Sequence, residues 1–302
     1  MTELALFSLD EFQKTLRYER EAPVQEVLKD LQQLQVFDQS MEVEESKWKK
    51  RTGWLAAVAV LSVLGTIASF ATLLVPLALL TIPAFFLGLF GGIYSGAKWS
   101  RFSGLNLENR RLRLPGKLLQ YLSHDMSPTQ IVRLSIDFRH YRNPAFVKSQ
   151  TSTGMFSSQK AFQYVIPWLT VRGQLLDGQR FEFSLTTVAK RKEKQKRKYT
   201  KVRETFCERL DLSLRVKVAR FPKLDSIAGL AYEGKVRTPF QPMKIHAENG
   251  VVHLAGTTPG FFRGAGRGTS IENSVPDAGV CTADHALQSF LAAYSAIDLC
   301  RG

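Results

Sequence analysis

The stretch TGWLAAVAVLSVLGTIASFATLLVPLALLTIPAFFLGLFGGIYSGA, Thr52 to Ala97, runs for 46 positions without an Asp, Glu, Lys, Arg or His. A helix needs roughly 20 apolar residues to cross the hydrocarbon core of a bilayer, so the run has room for two crossings and little else. Val75-Pro76 lies near its middle, where proline lacks an amide donor and disfavours helix at the residue before it. The expected spans are Gly53 to Leu73 and Leu77 to Ala97.

The flanks test whether the run is a hairpin or one interrupted helix. A hairpin returns both ends to the same interface. Trp48 and Trp54 stand at the start and Tyr94 and Trp99 at the end, while the central turn has neither Trp nor Tyr. Those four residues read as membrane-interface anchors on one side only. Lys47, Lys49, Lys50 and Arg51 precede the first span, Lys98 and Arg101 follow the second, and the turn carries no charge. The positive-inside rule then places both termini in the cytoplasm. The polar first 50 residues lack the n-region, apolar h-region and cleavage site of a secretory signal, so they are expected to remain in the mature protein.

Within the second span Gly88, Gly92 and Gly96 recur every four residues and share one helix face where another backbone can come close. Packing against the first span, with Gly65 and Ser69 as its small-residue step, and contact with another copy are both open. Pro83 interrupts the backbone ladder of the second span. Neither span holds an ionisable group, which argues against a proton relay, voltage sensor or charged ion path.

Outward from the hairpin the charge changes sign. Residues 1–46 hold eleven Asp or Glu against four Lys or Arg, whereas residues 98–302 hold 33 basic and 16 acidic residues. An asymmetry of this size points to a membrane surface or nucleic acid as partner. The acidic segment opens on Ser8-Leu9-Asp10-Glu11, which has capping-box spacing and marks a helix start. After Ala22-Pro23, the residues Val24, Val27, Leu28, Leu31 and Leu34 form an amphipathic helical stripe. That stripe would pack on the chain's own C-terminal domain, on a second copy or on a partner protein.

Beyond the hairpin, Pro115-Gly116 marks an expected boundary, and Lys117 to Ser123 an expected short helix against the domain or the bilayer surface. The apolar period then changes from helical to alternating. Leu134, Ile136 and Phe138 share one face, as do Tyr164, Ile166 and Trp168, and Leu212, Leu214, Val216 and Val218. Pro167 assigns its strand to an edge. Asp177-Gly178 and Asn249-Gly250 read as tight hairpin turns because they tolerate positive φ. The glycine-rich Gly260 to Gly268 reads as a linker, with phosphate or RNA binding as the other reading. A final helix is expected near Ala283 to Leu299.

The densest charge in the chain is Lys190, Arg191, Lys192, Lys194, Lys196, Arg197, Lys198 and Lys201, eight basic residues in twelve positions. They fall between two strands, at a long hairpin tip or in a short projecting helix. A solvated loop, contact with anionic lipid headgroups, and nucleic-acid binding are the three readings, since a basic cluster alone does not distinguish one polyanion from another.

No HExxH, GxSxG or Walker A pattern occurs, and the three cysteines, Cys207, Cys281 and Cys300, form no CxxC pair. Cys281 stands four residues before His285, which on a helix would bring thiol and imidazole to one face; a helix start capped by Thr282, with a buried cysteine before it, explains the same residues. No catalytic, metal or cofactor site is assigned.

The fold class expected is a membrane-anchored α+β chain: a two-helix transmembrane hairpin, a mostly antiparallel β cytoplasmic domain built as a sandwich or partly open barrel, and a C-terminal helix. Its segments are an acidic amphipathic helical segment (1–51), the hairpin (52–98), a basic juxtamembrane linker with a short helix (99–124), the β domain (125–256), and a Gly-rich linker with the final helix (257–302). The function expected is a non-enzymatic, cytoplasm-facing adaptor or scaffold whose polybasic segment meets anionic lipids. A membrane-bound enzyme with a site in the β domain, and a membrane-tethered nucleic-acid-binding protein, are the alternatives.

Overall fold

The computed structural model describes residues 7–71, 75–153, 159–195, 199–221, 223–224, 240, 244–258, 261–263, 281–298 and 300. The chain divides into two compact units, one made of residues 33–107 and the other of residues 1–32 with 108–302. Helix α2 (Val24–Ala71) crosses the division between them.

The unit of residues 33–107 is a helical hairpin of α2 and α3 (Val75–Leu105). Pro76 falls in the first turn of α3, where a missing amide hydrogen breaks no helical bond. Thr52 Oγ1 donates to Ser95 Oγ at 3.1 Å, Thr66 Oγ1 to Thr81 Oγ1 at 2.9 Å, and Asn106 Nδ2 to Glu45 at 2.6 Å, so the two helices run antiparallel in contact along their length. Both are long and apolar enough to cross a membrane, and only 11% of the residues in each apolar window are buried.

In the other unit, Ser8 Oγ accepts a bond from the Glu11 amide and starts α1 (Leu9–Thr15). The helix ends at Leu16, which adopts a left-handed conformation with φ 52°. The chain then forms a strand, β1 (Arg17–Pro23), where the sequence suggested helix alone. Four charged residues in seven hide its alternation, but Tyr18 and Ala22 are buried against the pairing strand β2 (Ile131–Asp137). Tyr18 Oη donates to Asp30 at 2.9 Å, and Arg20 is paired with both Asp30 and Glu26, which ties β1 to the first turns of α2. Val24, Val27 and Leu31 of the apolar stripe are buried within the single chain.

Among the described residues the sheet has nine antiparallel strands. Besides β1 and β2 these are β3 (Val147–Thr153), β4 (Gln159–Gln174), β5 (Arg180–Gln195), β6 (Thr200–Arg215), β7 (Lys244–Glu248), β8 (Val251–Thr257) and β9 (Phe261–Arg263). Their order is β1-β2-β4-β5-β6-β8-β7, with β3 on β4 and β9 on β6. The described strands thus belong to one sheet rather than to the two separate sheets of a sandwich. Its second layer is helical: α4 (Asn109–Leu122) and α5 (Ala283–Asp298) pack together on one face. Phe290 of α5 meets Phe181 and Phe183 at 5.4 and 5.9 Å between ring centroids. Strand alternation shows that a face is covered without showing by what; the leucines of α4 and the alanines of α5 supply the cover.

Two prolines differ from expectation. Pro115 lies inside α4 rather than at a boundary, buried in the stripe formed by Leu112, Leu114, Leu118, Leu119 and Leu122, whose burial outweighs the one backbone bond it removes. Pro167 belongs to an internal strand, at a bulge where the β4–β5 register passes from Pro167–Thr186 to Leu169–Leu185. Proline is tolerated there because the partners on the other side of β4 stop short of it: β3 pairs as far as Tyr164, and β2 begins at Leu169. The extra residue lets Trp168 and Leu169 both face the core, where neither is exposed.

Candidate functional site

The polybasic residues lie on two strands and belong to two different faces. Along β5 the buried Phe181, Phe183, Leu185 and Ala189 alternate with outward-facing residues, and that alternation continues past the helical layer. Lys190, Lys192 and Lys194 are therefore on the outer face and exposed, whereas Arg191 and Glu193 continue the inner face. Lys194 pairs directly with Lys201, and Lys192 with Arg203. Across β4 the facing positions are Gln163, Ala161 and Gln159, so no carboxylate stands opposite these lysines in the β4–β5 register among the described residues. Lys196, Arg197 and Lys198 lie outside the described residues.

Lys194 and Lys201 are thus like charges placed directly opposite each other, an arrangement that destabilises a ladder unless an anion sits over it. Arg191 is different. It is paired with Glu193 and lies 3.5 Å from Glu204, whose carboxylate also accepts from Tyr141 Oη at 2.6 Å and from Arg142 at 2.9 Å. Burial pushes the Glu204 carboxyl up, but the hydrogen bonds from Tyr141 and Arg142 and the charges of Arg142 and Arg191 outweigh it and hold it below the usual glutamate range. Burial and the bond to Glu204 push the Tyr141 phenol up to about 12. Sequence reading grouped Arg191 with its lysine neighbours and missed Arg203; only the pairing register separates the first and recruits the second.

In the hairpin, Trp48, Tyr94 and Trp99 gather at the end where α2 enters and α3 leaves. Trp48 and Tyr94 are 6.0 Å apart between ring centroids, Arg51 stacks over Trp48 and Lys98 over Tyr94, and Trp99 Nε1 donates to Glu45. Trp54 stands clear, 67% exposed. The three glycines separate: a Cβ on Gly88 would lie 2.8 Å from the Ala59 backbone nitrogen, one on Gly96 would just touch Thr52, and one on Gly92 would meet nothing within 4 Å. Gly88 is therefore a helix-to-helix contact, whereas Gly92 on the same face has open space before it.

The candidates for chemistry disperse. Thr282 Oγ1 accepts from the His285 amide at 3.2 Å, and His285 Nδ1 accepts from the Thr282 amide at 3.3 Å, a reciprocal cap at the start of α5. The Cys281 thiol is buried, and burial, with the Glu208 charge adding to it, pushes its pKa well up, away from the thiolate a nucleophile needs. Glu208 is itself buried on β6. It is paired with Arg110 and accepts from the Cys281 amide at 2.7 Å. Arg110 and Arg111 lie 5.2 and 5.7 Å from the centre of the Trp168 ring. This cluster joins α4, β4, β6 and the start of α5 around one compensated charge.

A cleft of about 310 Å³ is lined by Asp177, Gln179, Phe221, Tyr294, Ser295 and Asp298 among others. Tyr294 Oη donates to Asp177 at 3.3 Å, and burial raises its pKa. Among the described residues no three His, Cys, Asp or Glu side chains come together as metal ligands. No known protein family matches the chain, and neither a curated protein nor a solved structure is significantly similar to it.

Proposed function

We propose that the chain is a membrane-anchored, non-enzymatic adaptor or scaffold, held by the α2–α3 hairpin with both termini cytoplasmic, whose outer-face lysines rest on anionic lipid headgroups. The observation that carries this reading is the uncovered apolar surface of the hairpin. Leu61, Ile67, Leu80, Leu87, Phe90 and Ile93 are each more than 60% exposed in the single chain. At about 1.5–3 kcal/mol for burying one such side chain, these six alone favour transfer into lipid by roughly 10 kcal/mol. A lysine near an anionic leaflet contributes ~1 kcal/mol. The hairpin therefore anchors, and the lysines orient the sheet.

The test uses the full chain reconstituted into neutral and anionic vesicles, with a fluorophore on a Gln195→Cys variant in a Cys207→Ser background and a quencher on the lipid headgroups. Stronger quenching in anionic vesicles is expected, lost at high salt and lost when Lys190, Lys192, Lys194 and Lys201 become Gln. Equal quenching in both vesicles contradicts the lipid contact. Binding of a duplex or single strand without that quenching gives the face to nucleic acid instead.

A further inference from the structure

At the other end of the sheet order, β7 is the last strand among the described residues, and no described strand lies beside its outer edge. We propose that this edge is a dimerisation surface, on which β7 of a second copy of the chain pairs antiparallel about a two-fold axis at His246.

The backbone specifies the register. The β7–β8 hairpin turns through Asn249 and Gly250, both at positive φ (50° and 75°), a two-residue turn that makes Glu248 and Val251 exchange hydrogen bonds. Alternate residues of an antiparallel pair share this role, so His246 and Lys244 also bond towards β8. The amides and carbonyls of Ile245 and Ala247 then point out of the open edge. In a pairing centred on His246, Ile245 of one copy lies opposite Ala247 of the other, and these are the residues whose outward groups are able to exchange bonds.

The side chains fit the same register. Lys-Ile-His-Ala-Glu reads as its own complement when reversed: each Lys244 falls opposite a Glu248 of the second copy, twice across the axis. These fall in non-hydrogen-bonded pairs, where side chains are closest and opposite charges attract. Lys244, His246 and Glu248 are exposed, and Ile245 and Ala247 are buried on the inner face. A slip of one residue would put outward backbone groups opposite inward ones, and a slip of two would lose both charge pairs. A pairing of this kind uses the same patch on both subunits and closes without further growth.

The test uses the full-length chain in mild detergent, read by native mass against the 34.0 kDa protomer. A dimer is expected, and the Lys244→Glu variant should shift it at least tenfold towards monomer. Adding Glu248→Lys to that variant should restore the dimer, because the two charges have exchanged places and neither single change alters the inner face. A His246→Cys variant should form a disulfide-linked dimer on oxidation, whereas His253→Cys, one strand further in, should not. A monomer at all concentrations, a dimer indifferent to the charge changes, or a double variant that stays monomeric overturns the proposal.

Discussion

The outer face of the sheet changes character along its length. Over the helical layer several of its cations have carboxylate partners, Arg133 with Glu19 at 2.6 Å, Arg172 with Glu182 at 2.7 Å, and Arg209 with Asp211 at 2.9 Å. Like charges also meet in register there, as Arg180 does opposite Arg215 at the strand ends. Past Val188, on the same strands and the same face, the register partners of Lys190, Lys192 and Lys194 among the described residues are Gln163, Ala161 and Gln159 on one side and Thr205, Arg203 and Lys201 on the other. Compensated charge holds strands together, whereas a row of cations facing each other stores repulsion that an external anion relieves.

The largest effect comes from removing compensation where water does not reach. Glu208→Ala leaves Arg110 buried without its carboxylate and the Cys281 amide without its acceptor, so a loss of about 3–5 kcal/mol is expected, read as a lower unfolding midpoint. Replacing Arg110 by Met in the same variant should recover most of it.

The hairpin offers the same contrast between a filled contact and an open one. Gly88→Ile drives a side chain into the Ala59 backbone and should destabilise the helix pair by about 1–3 kcal/mol, while Gly92→Ile, with open space before it, should stay within about 0.5 kcal/mol. Thermal unfolding in detergent followed by helical circular dichroism separates the two.

Glu204 gives a smaller effect with a pH signature. Its folded carboxyl titrates below the unfolded value, so its stabilisation is present above about pH 4.3 and is lost as pH falls through the lower folded value. Denaturation midpoints between about pH 6 and pH 3 should fall less steeply in Glu204→Gln than in the parent chain.

The smallest effect is the most discriminating. Lys194→Glu places an opposite charge against Lys201 and should stabilise the β5–β6 hairpin by about 0.2–1 kcal/mol while weakening lipid contact; Glu182→Lys, opposite Arg172, should destabilise by a similar amount and leave lipid contact unchanged. If Lys194→Glu destabilises, the cationic face does not store repulsion. Arg191→Gln, already paired with Glu193 and Glu204, should change lipid contact less than Lys192→Gln does.

The parts of the fold legible in the sequence were those written in local pattern. The uncharged run gave two long apolar helices meeting near Val75-Pro76, the Asp-Gly and Asn-Gly dipeptides gave the β4–β5 and β7–β8 turns, and the strand alternations gave an antiparallel sheet. What remained hidden depends on partners distant in sequence. β1 shows itself only against β2, and the helical cover of the sheet only by joining α4 to α5 across more than 150 residues. The bulge was present as two overlapping alternations, Tyr164-Ile166-Trp168 and Leu169-Val171, which one continuous strand satisfies only with an extra residue. The basic cluster was legible as composition, but its division into an outward cationic row and an inward Arg191 needed the β5–β6 register.

Sidedness tests the central claim most directly. In sealed vesicles of known orientation carrying the full chain, protease added from the cytoplasmic face alone should remove tags from both the N- and C-terminus, without detergent and with the α2–α3 hairpin retained in the membrane pellet. Protection of either tag, or release of the hairpin into the soluble fraction, contradicts a membrane-anchored hairpin with both ends on one side.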